Sequence, residues 1–441
     1  MIEKQPWQGR RLHFVGIAGA GMSGLALVAR TLGAEVTGSD RSVSSPYARR
    51  LQEAGVHLFE GHDAANAPPS AELVVSTAIP PDNPERAEGR RRGLRELHRA
   101  ELLGELTRLK PTIAVAGTHG KTTTSSMVVH ALRGCGLDPS YLVGGEVRST
   151  GTNAAWGQGE WLVVEADESD RSLLALSPRV AVLTNAELDH HTTYASQRDV
   201  DLTFRAFLAL AEISVVWDRP ELLALAPAGG RVVSFDVPAP VLGPRGSAFD
   251  FDGAHVELPV PGAHNARNAA AALAACREAG VDVGAAAGAL RNFAGAGRRF
   301  EVLGITASGV TVVDDYAHHP TEVRATLEAA RTLGSRRVVA VFQPHLFSRT
   351  RRHADEFGAA LALADSVVVC EIYPARERAE DFPGVTGRLV AAAAADSGRP
   401  VAWMPRQVDA ERYLRRALRD GDLLLTLGAG DIDALARSLL A

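Results

Sequence analysis

The sequence predicts an α/β protein of three domains, and three observations carry the prediction. The chain has 441 residues, about three times the roughly 150 of a typical domain. Short apolar runs alternate with helical periodicity along most of it, the pattern of parallel sheets covered by helices. Glycine-bearing loops follow two of its strands and open helices. Apolar residues make up 46% and charged residues 22%, which excludes disorder, collagen and coiled coil.

Taken in order, residues 11–16 read as a buried strand, 21–32 as a helix and 35–38 as a second strand. Residues 56–59 and 73–76 continue a Rossmann-like amino-terminal sheet. Prolines 68, 69, 80, 81 and 84 punctuate residues 68–84, and Arg90-Arg91-Arg92 reads as a solvated helix face. A second domain starts near Pro111: a strand over 112–116, a helix over 121–133, and buried strands over 161–165 and 180–183. Residues 231–259 read as short antiparallel strands around the turn Asp252-Gly253, a small excursion from the P-loop central domain. Helices come next at 266–279 and 283–292. Residues 294–297 form a hinge into a carboxy-terminal domain, also Rossmann-like, with strands at 310–314, 338–342, 366–370 and 422–426 and helices at 320–333 and 351–363. The expected domains are residues 1–110, 111–297 and 298–441.

A net charge of −5 gives no general electrostatic reason to bind nucleic acid or an anionic membrane. No apolar run approaches the roughly 18 residues a membrane span needs. The start, Met1-Ile-Glu-Lys-Gln-Pro-Trp7, has no apolar signal core, so a cytoplasmic protein is expected. Cys135, Cys276 and Cys370 are isolated and read as buried thiols. Only Lys4, Lys110 and Lys121 are lysines among 47 basic residues, so a lysine in a motif carries more weight than usual.

The first chemical signal is Gly19-Ala-Gly21-Met22-Ser23-Gly24 after a strand, with Asp40 at the end of the next strand. Glycines let the backbone approach a diphosphate, and the helix N-terminus attracts its charge. NAD, FAD and a UDP-sugar all fit. The second is Gly117-Thr118-His-Gly120-Lys121-Thr122-Thr123 between a strand and a helix. Loop amides and Lys121 suit β- and γ-phosphates, and the Thr122 hydroxyl suits Mg²⁺. The strict pattern has glycine two residues before Gly117, where Val115 stands.

Two acidic segments end neighbouring strands: Glu165-Ala-Asp167-Glu168-Ser-Asp170, and Asn185-Ala-Glu187-Leu-Asp189-His190-His191. Carboxylates beside a P-loop at a common strand rim are what Mg²⁺-ATP chemistry needs. Further clusters are His264-Asn265-Ala-Arg267-Asn268, Arg298-Arg299-Phe300-Glu301, Asp314-Asp315-Tyr316-Ala-His318-His319 and Gln343-Pro-His345-Leu346-Phe-Ser-Arg349. The last two put His, Arg and Asp after two strands of the third domain.

In order, GTHGKTTT, VVEADESD, NAELDHH, HNARNAAA, GRRFE, DDYAHHPTEV and QPHLFSRT cover nearly the whole chain. Together they resemble the Mur ligases, which build the peptide of bacterial cell-wall precursors. The segments VGIAGAGMSGLA and DDYAHHPTEV are most similar to the member that joins L-alanine to UDP-N-acetylmuramate. The resemblance implies a UDP-sugar-binding, an ATP-binding and an amino-acid-binding domain, and an acyl-phosphate intermediate. It implies Gly117, Thr118, Gly120, Lys121, Thr122, Thr123, Asn268, Arg299 and Asp314 for ATP, with Thr122, Glu165 and His190 for Mg²⁺. Gly19, Gly21, Met22, Ser23, Gly24 and Asp40 would hold UDP. Tyr316, His318, His345 and Arg349 would meet muramate and amino acid, with Lys121, Glu165, His190, His318 and Arg349 catalytic.

Two departures stand out. The family pattern has Arg where this chain has Leu346. Several members also hold Mg²⁺ through a carbamylated lysine, but no lysine follows Lys121. Asp199, Asp201 or water would complete the metal shell. Other readings are the family's recycling ligase, which adds a preformed tripeptide, a nicotinamide-dependent oxidoreductase suggested by the glycine loop alone, and a catalytically silent nucleotide-binding regulator.

Overall fold

The computed structural model describes residues 5–441; Met1 to Lys4, part of the start read for a signal core, lie outside the described residues. Two compact units result. One holds the chain up to Asp236 together with Asn268–Leu290, and the other Val237–Arg267 with Arg291–Ala441. Among the described residues no helix is long and apolar enough to cross a membrane.

The first unit contains two sheets. The amino-terminal sheet is wholly parallel, in the order His57–Glu60, Glu35–Asp40, Arg11–Val15, Glu72–Val75, Glu96–His98. The second runs Arg231–Phe235, Ile213–Trp217, Val180–Leu183, Thr112–Ala116, Leu162–Glu165, Ser140–Val147, Thr152–Ala155; only the last strand is antiparallel to its neighbour. The central strands are continuous apolar runs because helices cover both faces. A single core that includes Phe14, Val28, Leu102, Leu173 and Phe204 spans both sheets. Thr112–Ala116 sits mid-sheet, so its carboxyl end opens between the ends of Leu162–Glu165 and Val180–Leu183. Ligands of parallel α/β sheets bind at that rim.

The second unit has a three-stranded antiparallel sheet, Val241–Gly243, Gly246–Phe251 and Ala254–Leu258. Its main sheet runs Glu301–Ile305, Thr311–Asp315, Asp422–Leu427, Arg337–Phe342, Ser366–Val369, Val401–Trp403, with only the first strand antiparallel. The expected helix at 320–333 is Pro320–Arg331. Proline takes the first turn, where its missing N–H costs nothing, and His319 and Glu322 form a reciprocal cap.

Several expectations are corrected. Arg231–Phe235 is not antiparallel: it extends the parallel sheet beside Ile213–Trp217, with Val233 and Phe235 buried and Val232 exposed. The antiparallel excursion is confined to 241–258. The helix expected from 351 starts at Phe347, with a break at His353, where φ is −118°. The strands Ser140–Val147, Thr152–Ala155 and Ile213–Trp217 and the helix Arg99–Thr107 had no sequence expectation. Arg91 and Arg92 do lie on a solvated helix, paired with Glu88. The three cysteines are free thiols; Cys276 and Cys370 are buried and Cys135 is half-buried.

Candidate active site

In the first unit, the buried strand Thr112–Ala116 delivers Gly117 to a loop that ends in the helix Lys121–Gly134. Gly120 has φ +83°, and a Cβ there would lie 2.5 Å from Asn268 Oδ1. Glycine is therefore required twice over, by backbone conformation and by the close approach of Asn268. No side chain caps the helix, so its first N–H groups face the loop as an anion site. Thr118 and His119 instead brace the loop. Thr118 Oγ1 donates to the Glu187 carbonyl at 2.9 Å, and the His119 amide donates to Asn185 Oδ1 at 2.9 Å. Thr122 and Thr123 are buried on the helix's first turn. Val115 is a fully buried strand residue in register with Glu165, so the family glycine pattern starts only at Gly117.

Lys121 Nζ donates to the carbonyls of Gly117 (2.7 Å) and Thr118 (3.1 Å) and lies 2.8 Å from Glu168 Oε2. Burial pushes the ammonium down, but Glu168, Asp167 and Glu165 outweigh it and hold the pKa above the usual lysine range. Glu165 accepts from Thr122 Oγ1 at 3.1 Å and from the Gly144 amide at 2.7 Å. His190, at φ +50°, points Nε2 at Glu168 Oε1, 3.2 Å away. Burial pushes Asp167 up, yet Arg99 and Lys121 bring it down to about 2. The carboxylates exceed the local cations. Hard oxygens of Thr122, Glu165 and Glu168 beside one imidazole are a donor set that suits Mg²⁺. Asp199 is occupied elsewhere: it forms a capping box with Ser196 at the start of Gln197–Leu208. Asp201 accepts from Gln197.

The glycine loop divides into two functions. Gly19 opens the helix Ala20–Thr31 without a side-chain cap, and Gly19 and Gly21 are exposed. Met22 and Ser23 point into the core, and Ser23 Oγ donates to the Ala20 carbonyl. Gly24 allows close packing, since a Cβ there would lie 3.0 Å from Ala154. Asp40 accepts from the Ala18 amide at 2.8 Å and so shapes the loop. A cavity of about 250 Å³ runs from Gly21 and Gly24 past Arg99 and Asn153 to Glu165 and Asp167. Arg99 Nη2 reaches Asp167 at 2.9 Å and Asp170 at 2.8 Å. A second cavity, near Trp161 and Val281, lies at the amino ends of the strands, away from these groups.

In the second unit, Asp314 and Asp315 end the strand Thr311–Asp315 and both are buried. Asp314 accepts from Arg298 Nε at 2.9 Å and Thr426 Oγ1 at 2.7 Å, which leaves it no open face for a nucleotide. Arg298 is itself tied into the fold, since its Nη1 donates to the Gly430 carbonyl at 3.0 Å and its Nη2 to the Gly428 carbonyl at 2.9 Å. Asp315 accepts from the amides of Phe300 and Ala317, each at 2.7 Å, and burial raises its pKa to about 6 despite Arg299. Arg298 and Arg299 each place a guanidinium 5.1 Å from the Tyr316 ring centre.

Two imidazoles meet here with opposite polarity. His318 Nδ1 faces the Tyr316 carbonyl at 2.9 Å. A carbonyl only accepts, so Nδ1 carries the proton and Nε2 of the neutral ring is the basic nitrogen. Arg349 Nη1 donates to His345 Nδ1 at 3.2 Å, so His345 carries its proton on Nε2. The ring centres are 5.7 Å apart, and His345 stacks on Tyr373. One ring therefore accepts and the other donates. An α-amino acid, with an amine and a carboxylate on one carbon, presents the matching pair. Leu346 is buried at φ +70°, outside the usual range for a branched side chain.

Glu168, Arg99 and Tyr373 carried no sequence assignment. Glu168 and Asp167 sit inside an acidic run already noted, but their partners are 47 and 68 residues away in sequence.

The chain is similar to known proteins along nearly its whole length. Residues 11–111 match the Mur ligase family catalytic domain, 115–276 the Mur ligase middle domain and 298–430 the Mur ligase glutamate ligase domain. The UDP-N-acetylmuramate–L-alanine ligase of Rubrobacter xylanophilus is 45% identical over 98% of this chain and 99% of the relative. That of Acidithiobacillus ferrooxidans is 43% identical over 97% and 96%. Among solved structures, the UDP-N-acetylmuramate–alanine ligase of Thermotoga maritima has a TM-score of 0.84 at 27% identity, covering 97% of this chain and 98% of that one. The murein peptide ligase of Psychrobacter arcticus has 0.72 at 26%, covering 98% of each. With identity this high along nearly its full length, the chain belongs to the Mur ligase family.

Proposed function

We propose that the chain is an ATP-dependent ligase that joins UDP-N-acetylmuramate to L-alanine. The observation that carries the reading is the cavity linking the glycine loop to Glu165 and Asp167. It lets one ligand span a diphosphate-type loop and the phosphate-transfer rim. A UDP-sugar with a carboxylate does this, and NAD has no group that needs the far end. The relatives' shared name supports L-alanine over the preformed tripeptide.

The muramate carboxylate attacks the γ-phosphorus of ATP, and ADP leaves. The alanine amine then attacks the acyl carbon, and phosphate leaves as the amide forms. Phosphorylation turns a poor acyl donor into a good one. The first step brings two anions together, and Lys121 and Arg99 are the cations that offset their repulsion. Thr122, Glu165 and His190 would hold Mg²⁺, which supplies further charge neutralisation at the phosphates. The uncapped N-terminus of Lys121–Gly134 cradles the phosphates, while Asn268, against Gly120, steadies the loop. Gly19 and Gly21 approach the UDP diphosphate. In the second unit, Arg299 over Tyr316 provides a cationic group for the nucleotide. His318 Nε2 takes the proton from the alanine ammonium, and His345 with Arg349 binds its carboxylate. The domain roles are then residues 1–110 for UDP-sugar, 111–297 for ATP and 298–441 for amino acid, in the cytoplasm where the soluble precursors are.

The test is phosphate release from ATP with Mg²⁺ and UDP-N-acetylmuramate, with L-alanine, glycine, L-serine or the tripeptide as amine. Release that depends on L-alanine supports the reading. Release that depends on tripeptide alone assigns the recycling reaction.

A further inference from the structure

Glu168 is 2% exposed and has one carboxylate for two functional side chains. Its oxygens lie 2.8 and 3.1 Å from Lys121 Nζ, and Oε1 also lies 3.2 Å from His190 Nε2. Its backbone is fixed independently: the Glu168 carbonyl accepts from the buried Tyr194 hydroxyl at 2.6 Å and from the Arg171 amide at 3.0 Å. The Glu168 backbone is therefore held in place when the ammonium turns from the loop carbonyls toward a phosphate. Once Lys121 leaves, a buried carboxylate is left without its cation beside His190. An uncompensated buried charge is strongly unfavourable, and a second cation arriving there relieves it.

We propose that Glu168 couples nucleotide and divalent-cation binding: it holds Lys121 in the ligand-free chain, and its charge favours the cation when Lys121 goes to the phosphates. The coupling rests on the proposed ATP site. It is reciprocal, so each ligand tightens the other by the same factor. Glu168 also explains a feature of the loop that the phosphate role alone does not. Lys121 is tied down by a side chain and two carbonyls before any nucleotide arrives.

The experiment is calorimetric titration of a non-hydrolysable ATP analogue into the full chain and into Glu168→Gln, each in chelator and in saturating Mg²⁺. Without Mg²⁺ the variant should bind the analogue several-fold more tightly, because Lys121 is released and a carboxylate near the phosphates is gone. With Mg²⁺ it should bind more weakly. The ratio of the two affinities should contract on the order of 10-fold, within the usual range for coupled sites. A merely structural role would weaken both affinities in parallel, and that result, or an unchanged ratio, overturns the proposal. An unaltered far-UV circular dichroism spectrum reports that the variant is folded. Should Glu168→Gln fail that control, Glu168→Asp replaces it: the shorter acid should shift the ratio in the same direction, and an unchanged ratio there counts against the coupling. If the unaltered chain binds no analogue in either buffer, the ATP site itself is wrong, a failure separate from that of the coupling.

Discussion

Replacing Lys121 by Met separates what this lysine does for the fold from what it does for phosphate transfer. Its side chain is 13% exposed and that of its partner Glu168 is 3% exposed. Removing one partner of so buried a pair leaves the other uncompensated, at a cost of about 3–5 kcal/mol. Lys121→Met should therefore loosen the first unit. The loss is readable as reduced hydrogen-exchange protection of Thr112–Ala116, the strand that delivers the loop. Turnover should fall at least about 10²-fold, the scale for losing one preorganised charge at a transferring phosphoryl group. The double variant Lys121→Met, Glu168→Gln tells the two apart. It leaves neither charge buried, so protection should recover while turnover stays low. If turnover recovers along with protection, the lysine acts on the fold and not on the phosphates. If the single variant keeps both protection and turnover, the P-loop assignment itself is refuted.

Asp315 supplies a pH prediction. Its folded pKa of about 6 is above the unfolded value, so the folded state holds this proton more tightly. Its contribution to stability is full below about pH 4 and is lost as pH rises through 6, a swing of about 3 kcal/mol at most. Denaturation of Asp315→Asn from pH 4 to 7 should lack that decline; an unchanged slope would falsify the assignment. Asp167 has the opposite sign: held at about 2, it stabilises the first unit above pH 4 and loses this as pH falls toward 2. Replacing it with Asn should flatten the acid limb of the first unit's unfolding curve. Calorimetry should find UDP-N-acetylmuramate bound and NAD not; micromolar NAD affinity would return the glycine loop to the dinucleotide reading. Activity should not respond to bicarbonate in CO₂-depleted buffer at fixed pH and ionic strength, because no lysine after Lys121 is present to be carbamylated. A reproducible several-fold rescue would reject that account of the metal site.

What the sequence disclosed and what it hid divide along a physical line. Strands such as Thr112–Ala116 and Val180–Leu183 were legible because burial on both faces makes them continuous apolar runs. The phosphate loop was legible because its glycines, lysine and hydroxyls are consecutive. Ser140–Val147 was not: it carries Gly144 and Gly145, poor strand formers in isolation. Gly144 is nevertheless needed, since a Cβ there would come within 2.8 Å of both Glu165 oxygens. Its amide is the donor that fixes Glu165, so the same glycine that hides the strand helps to build the site. Asp314 shows the converse. Its position at a strand end in an acidic pair looks like an open ligand, but Arg298 and Thr426 occupy it, partners 16 and 112 residues away. Spacing along the chain finds side chains that act where they stand. It does not reveal which carboxylates are already bonded within the fold, as Asp314 and Asp199 are, nor which one, like Glu168, links two functional groups. That distinction depends on pairings the topology makes, and it decides which acids in a motif remain to meet a ligand.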